Sequence, residues 1–221
     1  MHEDKVGINM TKYVRKEEMN DATILEVANA LRKGKLVVFP TDTVYGIGTN
    51  AYDAQACRRI YEVKGRPMCK PLIVLISDIS MLKEMVDSIS TIEQKLIDAF
   101  WPGPLTIKFK QKEGTLPNVV SAGDAYLRAR LIKRGLMHEL IQTAGVPIVA
   151  PSANLSGSLT GTKIKNIVNE LDGKVDYILD CGDIESDEVS TIVQVEEEKI
   201  FVIREGKIKK EALANVAPLK D

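Results

Sequence analysis

Two short apolar runs in this chain are each followed at once by a polar segment. Residues 36–39 form the first run, which leads through Pro40 into a loop at 41–48, and residues 147–150 form the second, which leads into 151–157. Each run is typical of a buried strand. In α/β proteins ligands collect at the carboxyl ends of strands, because helix N-termini and free backbone amides converge there. The two polar segments are therefore the first candidates for a binding site.

Helical spacing and strand-like runs alternate along the rest of the chain. Asn20 or Asp21 can cap a helix that Gly34 can end. Further helices are predicted at 53–63, 135–144 and 163–171, with two before Trp101 and one after Lys209. Further strands are predicted at 72–76, 105–110, 126–131, 175–179, 191–195 and 200–203. The pattern predicts an α/β fold with one domain at 20–215, a leader at 1–19 and a short tail at 216–221.

The composition excludes several classes of protein. Lys and Arg total 30 against 31 Asp and Glu, so net charge gives no reason to expect a nucleic-acid coat or a membrane-surface protein. No apolar run approaches the roughly 18 to 20 residues that cross a bilayer, and residues 1–16 are polar. The three cysteines lack the spacing of a disulfide framework or a zinc site. We therefore expect a cytoplasmic protein with no membrane partner.

A cluster of cations lies where a predicted helix passes into a loop. Five Lys and Arg side chains fall within the thirteen positions of 58–70: Arg58, Arg59, Lys64, Arg66 and Lys70. Lys64 and Arg66 flank Gly65, and Pro67 prevents the helix from continuing. Guanidinium and ammonium groups together suit a polyphosphate. A solvated helix end with a basic turn remains the alternative interpretation.

Hydroxyl and amide side chains mark the two polar segments. Ser152 and Asn154 can hydrogen-bond a phosphate, a ribose or a carboxylate, although Ser and Asn also form ordinary turns and caps. Thr41 and Thr43 precede two glycines, which can let the backbone approach a small polar ligand. The alternative is that this segment is only a tight connection between a strand and a helix. The familiar dinucleotide and P-loop fingerprints do not fit the glycines at 46–48 or 157–163, and the acidic residues at 180–188 suggest a solvated loop.

In their order along the chain, four segments resemble the YrdC/Sua5 family over residues 20–215. The first segment is 39–48, the second is the Lys64-x-Arg66 pair with 70–72, the third is 101–106 and the fourth is 150–157. Two shorter segments, 190–192 and 204–206, look like the closing motifs of that family. Members make threonylcarbamoyl-AMP and pyrophosphate from L-threonine, bicarbonate and ATP. The resemblance implies a twisted mixed sheet with flanking helices around a concave, basic cavity.

The resemblance also implies roles for particular residues. It makes Lys64 and Arg66 the catalytic pair, which forms the nucleotide site together with Ser152 and Asn154. Other positions are implied as well: Lys70, Thr160 and Arg204 toward ATP, and Thr43, Arg130, Ala150 and Thr191 toward threonine. Mg²⁺ would be bound with ATP, through phosphate oxygens and water rather than a carboxylate cage.

Three positions leave substrate recognition open. Leu75 stands where many members have a histidine, and no proline follows Arg130. Either Arg128 or Arg130 could face the cavity, and because residues two apart on a strand share a face, both could.

The resemblance names a separate tRNA threonylcarbamoyl transferase complex as the downstream partner, acting beside the anticodon. Two alternatives remain. One is a noncatalytic protein with RNA binding, or weak tRNA binding beside catalysis, through the cations at 108–112 and 128–134. The other is a carbamoyl-adenylate enzyme that uses another acyl substrate.

Overall fold

The computed structural model of the protein describes residues 10–158 and 161–220. The strands are β1 (Lys12–Arg15), β2 (Val37–Phe39), β3 (Gly46–Asn50), β4 (Ile73–Ile76), β5 (Leu105–Lys110), β6 (Tyr126–Leu131), β7 (Ile148–Val149), β8 (Tyr177–Asp180), β9 (Thr191–Glu196) and β10 (Lys199–Arg204). The helices are α1 (Asp21–Arg32), α2 (Ala54–Lys64), α3 (Ile79–Met85), α4 (Thr91–Phe100), α5 (Asn118–Ser121), α6 (Leu136–Ala144), α7 (Ile164–Leu171) and α8 (Lys210–Ala214).

All ten strands of the described residues join one mixed sheet in the order β1-β8-β2-β3-β7-β4-β6-β5-β9-β10. Strand β8 pairs in parallel with β1 and β2, and the pairs β4–β6 and β5–β9 are also parallel. The remaining neighbours are antiparallel. The predicted mixed α/β fold is therefore confirmed. No helix of the described residues is long and apolar enough to span a membrane.

The predicted helix boundaries follow from capping side chains. The Asn20 side chain accepts a hydrogen bond from the Thr23 amide at 3.0 Å and begins α1. Asp53 caps α2 through two backbone amides, and Gly65 ends that helix in the left-handed conformation, with φ of 57°. The turn that follows α2 places the loop at 65–72 between that helix and β4.

Alternation along the strands divides the core into two apolar clusters. On β2, Val38 belongs to the larger cluster, whereas Val37 and Phe39 belong to a smaller one. The smaller cluster also holds Leu31 of α1 and Leu140 of α6. Because successive strand side chains point to opposite faces, the two clusters cover opposite faces of the sheet there. The sheet is thus fixed from both sides, and its strand ends can hold a site in place.

The structure differs from the predicted elements in three places. Strand β1 and the short helix α5 were not predicted, and β1 pairs with β8, far along the chain. Within 41–48, expected to be a loop, a strand begins at Gly46. A Cβ at Gly48 would lie 2.7 Å from Cε1 of Phe39 and 2.7 Å from the Val149 carbonyl oxygen. The glycine therefore allows β3 to pass between β2 and β7 as a strand.

Candidate active site

The two polar segments singled out by the sequence meet in the structure and form one wall of a pocket. The Ala153 amide donates to the Tyr45 carbonyl at 2.7 Å, and the Ile47 amide donates to the Pro151 carbonyl at 3.0 Å. The pocket has a volume of about 110 Å³. Its lining comes from parts of 41–46, 71–75, 128–130, 150–152 and 189–192, and from Arg66 and Arg204. Loop residues from both halves of the chain therefore converge on one space.

Arg130 is held in a fixed position at one end of the pocket. Its side chain is only 5% exposed, and its Nε donates to the Gly103 carbonyl at 3.0 Å. One terminal nitrogen donates to the Thr43 hydroxyl at 3.0 Å, and the other forms an ion pair with Asp42. Burial lowers the pKa of Arg130, and the negative charge of Asp42 offsets part of that effect. Thr43 and Arg130, both predicted to contact threonine, are therefore brought together.

Asp42 was not singled out by sequence reasoning. Its only sequence signal is a carboxylate placed between two hydroxyls, those of Thr41 and Thr43. The Thr41 hydroxyl lies 3.0 Å from that of Thr43 and donates to the Val44 carbonyl at 2.6 Å. These contacts shape the loop so that Asp42 reaches Arg130.

Arg66 and Arg204 line another part of the pocket. Arg66 donates from Nε to the Lys70 carbonyl at 3.2 Å and from Nη2 to the Pro71 carbonyl at 3.0 Å, and burial lowers its pKa. Arg204 donates from Nη2 to the Ser190 carbonyl at 2.7 Å. Both guanidinium groups are thus oriented by backbone oxygens, which leaves their positive charge available to a ligand.

The arginines of the pocket repel one another. Burial, and after it the neighbouring charges of Arg128, Arg130 and Arg66, together lower the pKa of Arg204 to about 10. Both Arg128 and Arg130 line the pocket, which answers the question of which one faces it. Four guanidinium groups therefore share this space, and an anion is the ligand that such a site favours.

Lys64 does not line the pocket. Its side chain is buried, with the residue 2% exposed, and Nζ donates to the carbonyls of Ser152 and Asn154. Burial lowers the pKa of Lys64 to about 8, and the charge of Arg66 contributes in the same direction. Lys64 therefore fixes the loop that follows β7 and acts on the site through that loop.

Ser152 lines the pocket, whereas Asn154 supports the loop that carries Ser152. Ser152 lines the pocket, and its hydroxyl donates to Oδ1 of Asn154 at 2.6 Å. Asn154 does not line it, because its Nδ2 donates to the carbonyls of Leu155 and Ser158, each at 3.0 Å. Asn154 therefore orients Ser152 and closes the loop.

Of the five cations at 58–70, only Arg66 lines the pocket. Arg58 and Lys70 are exposed, and Arg59 forms an ion pair with Asp176 at 3.3 Å. The helical segment separates these side chains around its axis, so the run does not act as one cluster. The alternative of a solvated helix end fits Arg58 and Lys70.

Thr191 does not line the pocket, in contrast to the role implied by resemblance. Its buried hydroxyl donates to the Ile208 carbonyl at 2.6 Å and accepts from the amides of Gly206 and Ile208, each at 3.0 Å. Ser190 and Ile192, its neighbours in sequence, do line the pocket, because side chains alternate across this strand. Ala150 lines the pocket as expected, and Thr160 lies outside the described residues.

The sequence of the chain matches a known protein family. The model of the Sua5, YciO and YrdC family, described as "Telomere recombination", matches residues 29–206. The chain belongs to the Sua5/YciO/YrdC family. That match includes every pocket residue named above.

Among its Sua5/YciO/YrdC relatives, the Threonylcarbamoyl-AMP synthase of Bacillus subtilis is 39% identical over 89% of this chain and 57% of its own length. The Putative threonylcarbamoyl-AMP synthase of Methanocaldococcus jannaschii is 36% identical over 92% of this chain and 97% of its own length. The crystal structure of Pyrococcus abyssi Sua5 complexed with L-threonine superposes with a TM-score of 0.88 at 33% identity, over 96% of this chain and 62% of that one. The chain thus spans only about three fifths of the Bacillus and Pyrococcus proteins.

The departure at Leu75 lies inside the pocket of this Sua5/YciO/YrdC domain. Leu75 is 2% exposed, lines the pocket and stands beside Arg130 in the β4–β6 register. An apolar wall is therefore placed next to the fixed guanidinium group, where it can contact a methyl group of a substrate.

Proposed function

We propose that this protein is a threonylcarbamoyl-AMP synthase, a nucleotidyltransferase that uses L-threonine, bicarbonate or CO₂, and ATP. The observation that carries the proposal is the convergence of two groups in one pocket. Thr43 and Arg130 form one group, while Arg66, Ser152 and Arg204 form the other. The name of the Bacillus relative supports the same activity, and the L-threonine in the Pyrococcus Sua5 structure supports threonine as the substrate.

In the proposed reaction the amine of threonine takes up CO₂ to give a carbamate. A carbamate oxygen attacks the α-phosphorus of ATP, the new O–P bond forms, and the bond to the departing pyrophosphate breaks. The attacking group is already an anion, so the site needs to align two anions and offset their repulsion. The fixed guanidinium group of Arg130, hydrogen-bonded to Thr43, would hold the amino acid.

Arg66 and Arg204 would bind the phosphates, with the Ser152 hydroxyl beside them. Bidentate guanidinium groups suit phosphate oxygens, and backbone carbonyls already orient both arginines. Lys64 would hold the loop of Ser152 in place, and exposed Lys70 would reach toward ATP from the loop after α2. Thr160 keeps its proposed place on the ATP side.

Mg²⁺ would enter with ATP. Among the described residues no group of three or more His, Cys, Asp or Glu side chains could hold a metal ion. Asp42, a carboxylate beside the pocket, is paired with Arg130. The residues present fit an ion bound through phosphate oxygens and water, where it would neutralise charge on the triphosphate.

We further propose that the product passes, in the cytoplasm, to a separate tRNA threonylcarbamoyl transferase complex. Direct RNA binding is not favoured, because much of the basic stretch is occupied. Lys108 pairs with Asp124 at 2.8 Å and Lys110 with Asp87 at 3.5 Å, while Arg128 lines the pocket. Phosphate contacts depend on unpaired cations on the surface.

The test is pyrophosphate release from ATP and Mg²⁺ with bicarbonate, comparing L-threonine with L-serine, L-valine and no amino acid. We expect release that requires both threonine and bicarbonate. Arg66→Met should abolish it, whereas Arg134→Met, which removes an exposed charge outside the pocket, should leave it unchanged. Release with another amino acid alone would point to a different acyl substrate, and salt-dependent tRNA binding without turnover would overturn the enzymatic proposal.

A further inference from the structure

Arg128 occupies a particular place among the cations of the pocket. It lies on β6, two residues before Arg130, and stands beside Ile73 of β4 and Lys108 of β5 in the sheet. It lines the pocket together with Arg66 and Arg204. Because Arg128 lies on a central strand, the sheet fixes its backbone, and its side chain enters the pocket from that position.

The guanidinium group of Arg128 lacks a partner among the described residues. Its Nε is buried without a hydrogen bond, and neither terminal nitrogen of the side chain forms a hydrogen bond or an ion pair with the described residues. Asp124, the nearest acidic influence on it, pairs with Lys108 at 2.8 Å. A buried donor without a partner costs free energy, so its retention in a pocket is a signal of ligand binding.

The other three arginines of the pocket differ from Arg128 in this respect. Arg130 pairs with Asp42. Arg66 donates to backbone carbonyls of its own loop, and Arg204 donates to Ser190. Within the described part of the chain, Arg128 is therefore the pocket arginine whose guanidinium group donates no hydrogen bond to the protein.

We propose that Arg128 binds a phosphate group of the nucleotide, completing an anion site with Arg66 and Arg204. The ligand class is a polyphosphate: the triphosphate of ATP on the way in and pyrophosphate on the way out. The assignment of this ligand to ATP rests on the proposed function. Arg128 is placed on the nucleotide side rather than the amino-acid side, because it stands beside Ile73, two residues after Pro71, whose carbonyl orients Arg66.

The experiment measures binding of inorganic tripolyphosphate and of pyrophosphate by calorimetry, with no amino acid or bicarbonate present. Arg128→Met is compared with the wild type and with Arg134→Met, which removes an equal charge from an exposed position. We expect tripolyphosphate affinity to fall about 10-fold or more in Arg128→Met, the size of a lost charge-assisted hydrogen bond, and by less than about 2-fold in Arg134→Met. Arg128→Lys should recover part of the affinity, because it restores the charge without the fork of donors.

A thermal melt separates this role from a structural one. Because Arg128 makes no protein hydrogen bond, Arg128→Met should melt at the wild-type temperature or above it, while its polyphosphate affinity falls. Equal tripolyphosphate affinity in Arg128→Met and wild type, or no affinity in the wild type, would overturn the inference. Polyphosphate binding that depends on Arg128, in a wild type without threonine-dependent turnover, would support the site and count against the proposed function instead.

Discussion

Replacing Lys64 by Met tests whether this side chain acts on the site through the loop it supports. The ammonium group donates to the carbonyls of Ser152 and Asn154 and does not line the pocket. Met removes the charge and both hydrogen bonds while keeping an unbranched apolar stem. The loop should then lose the position that orients the Ser152 hydroxyl.

The stability change is expected to be small because two opposing terms nearly cancel. Two hydrogen bonds from a charged donor contribute about 3 to 6 kcal/mol in total. Against this, the fall of the Lys64 pKa from 10.5 to about 8, caused mainly by burial, corresponds to an unfavourable contribution of about 3 kcal/mol. The net loss is thus about 0 to 3 kcal/mol, which lowers the melting temperature by at most about 10 °C in a domain of this size.

Catalysis should change far more than stability. Misplacing a substrate-contacting group by about 1 Å can reduce rates about 100-fold, so kcat/KM for ATP should fall by about that factor or more. Calorimetry should show L-threonine affinity within about 2-fold of wild type, because Arg130 and Thr43 do not contact Lys64. A folded Lys64→Met protein with kcat/KM within about 3-fold of wild type would refute the reasoning, as would an equal loss of affinity for both substrates.

Three further predictions concern the stability of the fold. Thr191→Val removes a hydroxyl with three buried backbone partners, so denaturant titrations should show the free energy of unfolding lowered by about 2 to 4 kcal/mol, with kcat per folded molecule unchanged. Unchanged stability with lost activity would instead indicate that Thr191 acts in the site. Gly48→Ala places a methyl group against Phe39 and the Val149 carbonyl and should cost about 1 to 3 kcal/mol, whereas Gly114→Ala, with open space around it but a left-handed backbone, should cost only about 1 kcal/mol. Because the folded state binds the Lys64 proton less tightly than the unfolded chain, the burial penalty is complete below pH 8 and is relieved toward pH 10.5; wild type should therefore gain about 1 kcal/mol relative to Lys64→Met between pH 8 and pH 9, and no difference would contradict the lowered pKa.

Local signals predicted most of the fold. Asn20 and Asp53 are capping residues whose side chains can be recognised from their neighbours, and Gly65 ends α2 in a conformation that glycine adopts readily. Strand β1 was missed because its only buried residue is Val14, so it shows little pattern of its own. It becomes a strand by pairing with β8, and such a distant partner leaves no local signal.

The candidate site was predictable in its segments but less so in the direction of its side chains. The loops at 41–46 and 150–152 were expected at strand ends, and backbone hydrogen bonds join them there. The ion pair of Asp42 with Arg130 spans 88 positions, so only the fold brings it together. Thr191 was expected toward threonine, whereas its neighbours Ser190 and Ile192 line the pocket, because a shift of one residue along a strand reverses the face.

The near-neutral composition gave no reason to expect a protein covered in positive charge, but it could not reveal how the charge is distributed. Along the basic stretch Lys108 is paired with Asp124 and Lys110 with Asp87. In the pocket the balance is reversed, since four arginines share the space and Asp42 is committed to one of them. Their mutual repulsion is a cost that the folded chain carries until an anion enters, and the same repulsion strengthens binding when it does. A protein of net charge −1 can therefore hold a site that favours a polyanion, provided that the fold concentrates a few cations and leaves most of them without acidic partners.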